Sequence, residues 1–221
     1  MELNDVIRTT FAAREYTGED VPDKLIYDIL EVARFAPSGG NRQGNRVIVV
    51  RNPETRAEFG KLTIPAAKRY IAQSKAGESP WNAVTPTKVS DAEIEATEPS
   101  PHLTGTFSAA AAVLVFCVDL KVVASTDQLL DRVGVISGGS IYPFVWNVLL
   151  LLRQAGFGGT ITTLAVAQEP ELKALLRIPD DHAVAAVMPI GKPVKQLTKL
   201  KRLPVEAIAT RESFDGITFT M

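Results

Sequence analysis

The chain has 221 residues, a formal net charge of −1, 46% hydrophobic and 22% charged residues, and a single cysteine. This composition is ordinary for a soluble globular protein. General nucleic-acid binding is excluded, because the chain has no excess of basic residues to neutralise phosphates. One cysteine excludes an intramolecular disulfide, and with no Cys/His cluster we expect no metal site. The length is ample for a hydrophobic core, so we expect a single domain over residues 1–221.

The N-terminal segment predicts a short helix over residues 2–10, with Asn4 as a candidate cap. It is acidic and amphipathic and lacks the basic and apolar regions of a secretory signal, so we expect a cytoplasmic protein. A second helix is predicted behind Pro22, where apolar residues recur at helical spacing: Leu25, Ile26, Ile29, Leu30 and Ala33.

A polar loop, Ala36–Gly44, separates this helix from the β-branched run Val47–Val50, which predicts a fully buried strand. Glycines allow backbone N–H groups to approach a ligand closely. Directed hydrogen bonds could come from Ser38, Asn41, Arg42 and Gln43. The residues alone leave two interpretations open, a ligand-binding loop or a plain helix-to-strand turn.

A long helix is predicted from Pro53 to Ser74, and an unpatterned, proline-rich excursion follows over about residues 75–107. A stretch of this length is either a functional lid or a surface loop without a role. Trp81 and His102 are the side chains within it that could close over a planar ligand.

The next predicted elements are apolar. Ala109–Val118 predicts a second buried strand, in which Cys117 is expected to be buried rather than reactive. Residues 127–156 hold the most apolar helix, and Ile141–Leu152 is apolar nearly all round, which predicts burial on every side. In a chain of this size the covering surface would include a second subunit. Asn147 within it needs a hydrogen-bond partner.

The C-terminal third begins where that helix ends at Gly156. A glycine–threonine turn, Gly158–Leu164, precedes a short helix over Glu169–Leu176 and a strand over Ala183–Pro189. His182 at the strand's edge is expected to be a surface residue without a role. The basic tail Lys195–Arg211 has the composition of a solvated face.

The string PSGGNRQ followed by RVIVV closely resembles the loop and strand of the nitroreductase-like flavoproteins, and the similarity covers nearly the whole chain. The resemblance implies an α+β fold with a central mixed β-sheet flanked by helices. It also implies an intertwined homodimer with FMN between the two subunits, and a substrate pocket shaped by the excursion at 75–107.

The resemblance further implies which residues bind FMN. Where the family reads Arg-Arg-Ser-x-Arg-x-Phe, Arg14 matches the last arginine and Ala12 the serine, but Thr10 and Phe11 replace the arginine pair. Arg8, one helical turn earlier, is a candidate substitute, and Lys201-Arg202 resembles the basic motif that holds the phosphate. The implied FMN-binding residues are Arg8, Thr10, Ala12, Arg14, Pro37, Ser38, Gly39, Asn41, Gln43, Asn147, Thr162, Thr163, Leu164, Lys201 and Arg202, with Trp81 and His102 in the substrate pocket.

The chain shows no Ser–His–Asp arrangement, metal-ligand spacing or GxGxxG motif, as expected where a cofactor carries the chemistry. The resemblance implies an oxidoreductase that moves hydride from NADH or NADPH via FMN to a small organic acceptor, such as a nitroaromatic or quinone, in a ping-pong scheme. Arg14 near the pyrimidine would favour negative charge on the reduced ring. Two alternatives remain: another chemistry on this fold (oxygen-dependent flavin cleavage or reductive dehalogenation), and a non-catalytic flavin-storage protein.

Overall fold

The structure is a computed structural model that describes residues 1–221. Helices and strands alternate irregularly along the chain, and short 3₁₀ turns connect some of them. The helices are α1 Leu3–Thr9, α2 Asp23–Ala33, α3 Pro53–Lys75, α4 Asp91–Glu95, α5 Pro101–Thr104, α6 Thr106–Ala109, α7 Tyr142–Gln154 and α8 Glu169–Leu176. The strands are β1 Asn45–Val50, β2 Ala112–Asp119, β3 Gly158–Gly159 and β4 His182–Gly191.

The four strands form one sheet in the order β1-β2-β4-β3. All three strand pairs are antiparallel. Outside the named strands, Ala12 forms a parallel bridge with Gly159. The α+β class is confirmed, but the sheet is less mixed than expected, because the N-terminal segment adds only this one parallel pairing.

Helices cover both faces of the sheet, because the side chains of β2 alternate between two cores. Leu114 and Phe116 face a core formed with α2 and α7, in which Phe116 meets Phe144 edge to face at 5.8 Å. Val113, Val115 and Cys117 face the second core, formed with α3, α6 and α8. The buried Cys117 thiol was predicted correctly. Its burial raises its pKa to about 11, with a smaller rise from the Glu169 charge.

The prediction that Val47–Val50 is fully buried is wrong. Of these residues only Val50 is fully buried, and Val49 is 40% exposed. The strand is the edge of the sheet, so only β2 covers it along one side. A β-branched run does not by itself distinguish an edge strand from a central one.

Within this chain α7 is covered on one side only, so its burial on every side, which was predicted to involve a second subunit, stays a prediction. Val145, Val148 and Leu152 pack into the first core, whereas Tyr142 and Trp146 are more than a third exposed. The helix is also shorter than residues 127–156, since it begins only at Tyr142. The apolar composition of its open face therefore has no covering surface in the chain itself.

Residues 125–136 form an irregular loop that is organised around the buried carboxylate of Asp127. Asp127 accepts hydrogen bonds from the Val135 N–H (2.7 Å), the Arg132 guanidinium (2.9 Å) and the Ser125 hydroxyl (3.1 Å). These bonds, the backbone ones first, lower the pKa of Asp127 to about 2. The carboxylate draws the backbone inward, and the loop's apolar side chains are left outside, with Leu129 92% exposed.

The other predicted elements agree with the structure within a few residues, and α8 has the predicted bounds. Two details need correction. No side chain caps α1 at Asn4 or elsewhere. His182 is half-buried rather than a surface residue, and its Nδ1 lies 2.7 Å from an oxygen of Asp181. No helix is both long and apolar enough to cross a membrane.

Candidate functional site

A cavity of about 200 Å³ lies between the N-terminal segment and the chain that follows β3. It brings together four of the residues predicted to bind FMN, namely Arg14, Thr162, Thr163 and Leu164. The remaining lining residues come from α3, from the short helices α5 and α6, and from the same glycine–threonine run: Tyr70, Leu103, Thr106, Thr160 and Ile161.

Backbone pairing holds both sides of this cavity. The Ala13 N–H donates to the Gly159 carbonyl at 3.0 Å, which sets Arg14 beside the chain that leaves β3. Thr162 exchanges two backbone hydrogen bonds with Val187 of β4, at 3.0 and 2.9 Å. Both sides of the cavity are thus tied to the sheet, and their positions do not depend on a ligand.

The cavity contains polar groups that lack partners within the chain. The Thr160 hydroxyl has no hydrogen-bond partner although the residue is only 1% exposed. A buried polar group without a partner is costly, and such groups normally have one. Arg14 forms no ion pair with a carboxylate. A ligand with acceptor atoms and some negative charge would satisfy both groups.

Tyr16 lies next to the cavity and serves as a structural support. Its hydroxyl is 2.8 Å from the carbonyls of both Ala13 and Pro189. Burial raises the pKa of Tyr16 well above its ordinary value, while the Thr106 hydroxyl and Arg14 lower it by less. The phenol therefore stays neutral. Thr106 lies near it but meets no hydrogen-bond geometry, so its buried hydroxyl is also without a partner.

A second cavity of about 440 Å³ adjoins the first and shares Tyr70, Thr163 and Leu164 with it. Trp81, one of the two predicted lid residues, forms part of its wall. The lining contains no charged side chain; the remaining members are Ala66, Pro80, Val166 and Ala167. This arrangement suits an apolar, planar molecule placed next to whatever fills the first cavity.

Trp81 is held firmly on α3. Its backbone N–H donates to Gln73 Oε1 at 2.9 Å, and its indole N–H donates to the Ala66 carbonyl at 3.3 Å. The Arg69 guanidinium stacks on the ring at 4.5 Å. The residue has a positive φ of 56°, which is rare outside glycine and is maintained by these contacts. His102, the other predicted lid residue, is exposed and lines neither cavity, whereas its neighbour Leu103 does.

The polar loop Pro37–Gln43 lies elsewhere in the chain and is tightly wound. Gly40, Asn41 and Gln43 all have positive φ, and Ser38 Oγ accepts from the Gln43 N–H at 3.0 Å. The Gly39 N–H donates to Ser140 Oγ at 3.1 Å, so the residues before α7 support the loop. Pro37, Asn41 and Gln43 are exposed, and Ser38 and Gly39 are half-buried.

The sheet register separates this loop from the Arg14 cavity. The loop enters β1 at Asn45, which pairs with Val118, whereas Thr162 pairs with Val187, opposite Val115. With strands about 4.8 Å apart and about 3.4 Å per residue, the two places are roughly 17 Å apart or more. Within one chain, the two groups of predicted FMN residues do not form one pocket.

The remaining N-terminal candidates differ in what they can contact. Thr10 is buried and its hydroxyl donates to the Val6 carbonyl at 2.7 Å, so it offers no side chain to a ligand. Any contact of Thr10 with FMN would therefore come from its backbone, and its place among the FMN-binding residues stays a prediction. Ala12 is exposed beside the bridge to Gly159, and Arg8 is exposed on α1.

Asn147 and the basic pair also lie outside the Arg14 cavity. Asn147 lines an apolar groove between α1, α2 and α7, together with Leu3, Val6 and Val32. Lys201 and Arg202 are exposed on the C-terminal tail, where Arg202 donates only to the Lys201 carbonyl. Within this chain none of the three meets the other candidates.

Five lining residues of the Arg14 cavity were not singled out from the sequence: Tyr70, Leu103, Thr106, Thr160 and Ile161. Thr160 and Ile161 belong to the same Gly-Thr run as Thr162, so extending that run backward would have found them. Tyr70, Leu103 and Thr106 reach the cavity only through tertiary packing. No local sequence signal marks them.

Fold and site together define a protein of the α+β class with a sheet-anchored cavity that contains an unpaired arginine, beside a cavity without charged lining residues. The sequence profile described as the Nitroreductase family matches residues 7–192. The chain belongs to the nitroreductase family.

Individual relatives agree with this assignment. The chain is 27% identical over 197 residues to the NADH dehydrogenase of Thermus thermophilus, covering 88% of each chain. A crystal structure of iodotyrosine deiodinase bound to FMN and 3-iodo-L-tyrosine has a TM-score of 0.69 at 19% identity, covering 96% of this chain and 100% of that one. The NADPH:FMN oxidoreductase of Vibrio harveyi complexed with NAD⁺ has a TM-score of 0.69 at 18% identity, with coverages of 98% and 79%.

Proposed function

We propose that this protein is an FMN-dependent oxidoreductase that uses NADH or NADPH to reduce a small, neutral organic acceptor such as a nitroaromatic or a quinone. The observation that carries the proposal is the Arg14 cavity, with its unpaired cation and its buried Thr160 hydroxyl. When bound, FMN would supply the redox chemistry, accepting hydride from the nicotinamide and passing it to the acceptor in a ping-pong cycle.

The chain's own residues would bind and orient the cofactor. Arg14 would favour negative charge at the pyrimidine edge, and the Thr160 hydroxyl would gain the partner that it lacks. Thr162, Thr163 and Leu164 would lie along the ring. The Trp81 cavity would receive nicotinamide and acceptor in turn, and its fixed apolar walls would exclude water from the reacting faces.

We further propose that the functional unit is a homodimer with FMN between the subunits. The open face of α7, the loop at 125–136 and α2 expose large apolar side chains, including Trp146, Leu129 and Tyr27. Of these surfaces, α2 and α7 pack against each other, and adjoining exposed apolar side chains are typical of an interface. A second subunit would also supply the loop Pro37–Gln43 to the Arg14 cavity, which the chain's own loop does not reach. We also propose that the protein is a single domain over residues 1–221 and is located in the cytoplasm.

Reductive dehalogenation of an amino acid is the less favoured alternative. The structurally similar deiodinase binds 3-iodo-L-tyrosine, which carries both an ammonium and a carboxylate group. In this chain no charged residue lines the Trp81 cavity, so neither group would find a counter-charge there.

The experiment is purification followed by spectroscopy and rapid mixing. We expect a yellow protein that releases FMN on heating, at about one flavin per chain, and bleaching of its absorbance on mixing with NADH or NADPH. A colourless protein that takes up no added FMN would refute the proposal. A loaded protein that neither nucleotide reduces would indicate flavin storage, and consumption of the flavin itself would indicate flavin cleavage.

A further inference from the structure

Arg153 is a half-buried cation at the C-terminal end of α7 that has no acidic partner. Its Nε donates to Thr9 Oγ1 at 3.0 Å, and neither of its terminal nitrogens has a hydrogen-bond partner in the chain. Four of the eight half-buried arginines and lysines are paired with carboxylates: Arg51, Lys68, Lys173 and Lys192. A partly desolvated charge is normally paired, so the free guanidinium points to an anion from outside the chain.

Few cations share these properties. The half-buried arginines and lysines without a carboxylate partner are Arg14, Arg56, Arg69 and Arg153. Arg69 stacks on Trp81, and Arg56 lies on α3, where its Nε is buried without a partner. The other two, Arg14 and Arg153, are the pair that the N-terminal segment connects directly.

That segment sets the spacing between the two arginines. Thr9, which anchors Arg153, and Arg14 are five residues apart, so the chain between them spans at most about 17 Å. The exposed Ala12 lies between them, where it bridges Gly159. This strip of chain, from Thr9 to Arg14, therefore has a cation near each end and a small side chain, Ala12, between them. A long ligand with a ring at one end and a phosphate at the other has matching chemistry.

We propose that Arg153 binds the phosphate group of FMN, while Arg14 serves the ring. This inference rests on the proposed function, because it assumes that FMN is the ligand. An arginine can grip a phosphate with two parallel hydrogen bonds, and the bond from Nε to Thr9 would hold Arg153 in place beforehand. At this position Arg153 would supply the positive charge that Thr10 lacks, since the buried Thr10 side chain contributes nothing to an anion site.

The start of the basic tail contacts the same end of this strip, at Thr9. Gln196 Nε2 donates to the Thr9 carbonyl at 3.0 Å, which fixes the neighbouring Lys195 near this end of the strip. Arg8, Lys201 and Arg202 are also free cations, but all three are exposed and none is held by another element. They can add charge, whereas Arg153 alone is both half-buried and positioned.

The test compares FMN with riboflavin, which lacks the phosphate, by titrating flavin-free protein and following flavin fluorescence. Arg153→Gln should weaken FMN binding by about 10- to 150-fold, the value for losing a hydrogen bond to a charged group, and leave riboflavin binding unchanged. Arg14→Ala should weaken both flavins. Arg177→Gln, an exposed arginine on α8's C-terminal cap, should change neither.

Further variants separate a binding role from a structural one. Arg153→Lys should retain part of the FMN preference, and Thr9→Val, which removes the anchoring hydroxyl, should lose part of it. These two variants decide the question if Arg153→Gln melts at a lower temperature than wild type. Equal losses for both flavins, or a phosphate-specific loss in Arg8→Gln but not in Arg153→Gln, would overturn the inference. If the wild type binds neither flavin, the proposed function itself fails.

Discussion

The Arg14 cavity and the loop Pro37–Gln43 hold the two larger groups of predicted flavin-binding residues, and they are stabilised differently. Backbone hydrogen bonds to Gly159 and Val187 tie the cavity to the sheet. The loop instead depends on side chains, on positive-φ residues and on Ser140 before α7. One region is a preformed pocket, and the other is a largely exposed loop that does not reach the Arg14 cavity of its own chain.

This difference favours a site that is divided between two subunits. A ligand in the pocket would satisfy the unpaired Thr160 hydroxyl, whereas the exposed loop offers its polar groups to a partner surface. If the second subunit supplies that surface, the loop completes a cavity that it does not reach in its own chain. The comparison then predicts that dimer formation and flavin binding depend on each other.

The largest expected effect comes from breaking the proposed interface on α7. Trp146→Glu places a charge on the exposed apolar face, and burying an unpaired charge costs several kcal/mol. We expect the dimer to weaken by at least about 100-fold, with loss of bound flavin, because the loop would no longer reach the cavity. Light scattering and flavin content per chain measure the two effects.

The matched control is Leu175→Glu on α8, whose exposed fraction of 37% is close to the 40% of Trp146. It should leave both dimer and flavin intact. A Trp146→Glu protein that is monomeric and fully loaded with FMN would show that one chain forms the whole site.

A smaller effect is expected from the cavity itself. Thr160→Val removes a hydroxyl that has no partner in the flavin-free chain, so the flavin-free protein should melt at the same or a higher temperature. Flavin binding should weaken by about 2- to 12-fold, the value of one neutral hydrogen bond. Calorimetry measures the change in melting temperature, and flavin titration measures the change in affinity. Weaker flavin-free stability would mean that the hydroxyl already has a partner, such as water.

The smallest effect on flavin binding is expected at Asp127, which organises the loop at 125–136 and lines neither the Arg14 cavity nor the Trp81 cavity. Its folded pKa of about 2 lies below the ordinary value of 3.8, so its carboxylate stabilises the fold above about pH 4. That contribution is lost as the pH falls from about 4 to about 2. Asp127→Asn should lower the melting temperature by several degrees at pH 7 and flatten the curve in that acid window.

Asp131→Asn, in the same loop but exposed, is the control and should leave the melting curve unchanged. If Asp127→Asn also leaves the curve unchanged between pH 2 and 7, the carboxylate does not organise the loop.

Periodic patterns in the sequence predicted most of the fold. Pro53 and Asn52 mark the start of α3, and α8 follows from its spacing, because these signals depend on neighbouring residues. The exposure of Val49 and Trp146 could not be predicted in this way. An apolar run reveals that a side chain will be covered, but not whether its own chain or another covers it.

The candidate site has the same limit: its local signals could be recognised in the sequence, and its tertiary contacts could not. Arg14 and Thr162–Leu164 were placed together through family resemblance, and the structure brings them to one cavity. Tyr70 and Thr106 were missed because only tertiary packing carries them there. The bond from the Thr10 hydroxyl to the helix that it ends has no sequence signal either. The bond between Arg153 and Thr9 joins residues 144 positions apart, which local patterns do not reach.

The buried Cys117 has a practical consequence for experiments on this protein. The chain has no other cysteine, and a thiol that is 2% exposed with a pKa of about 11 stays protonated and inaccessible at neutral pH. Thiolate is the form that reacts with maleimides and oxidants. A cysteine introduced at the rim of the Trp81 cavity would therefore be the single reactive thiol, so a spectroscopic label attached there would report ligand entry into the cavity without background.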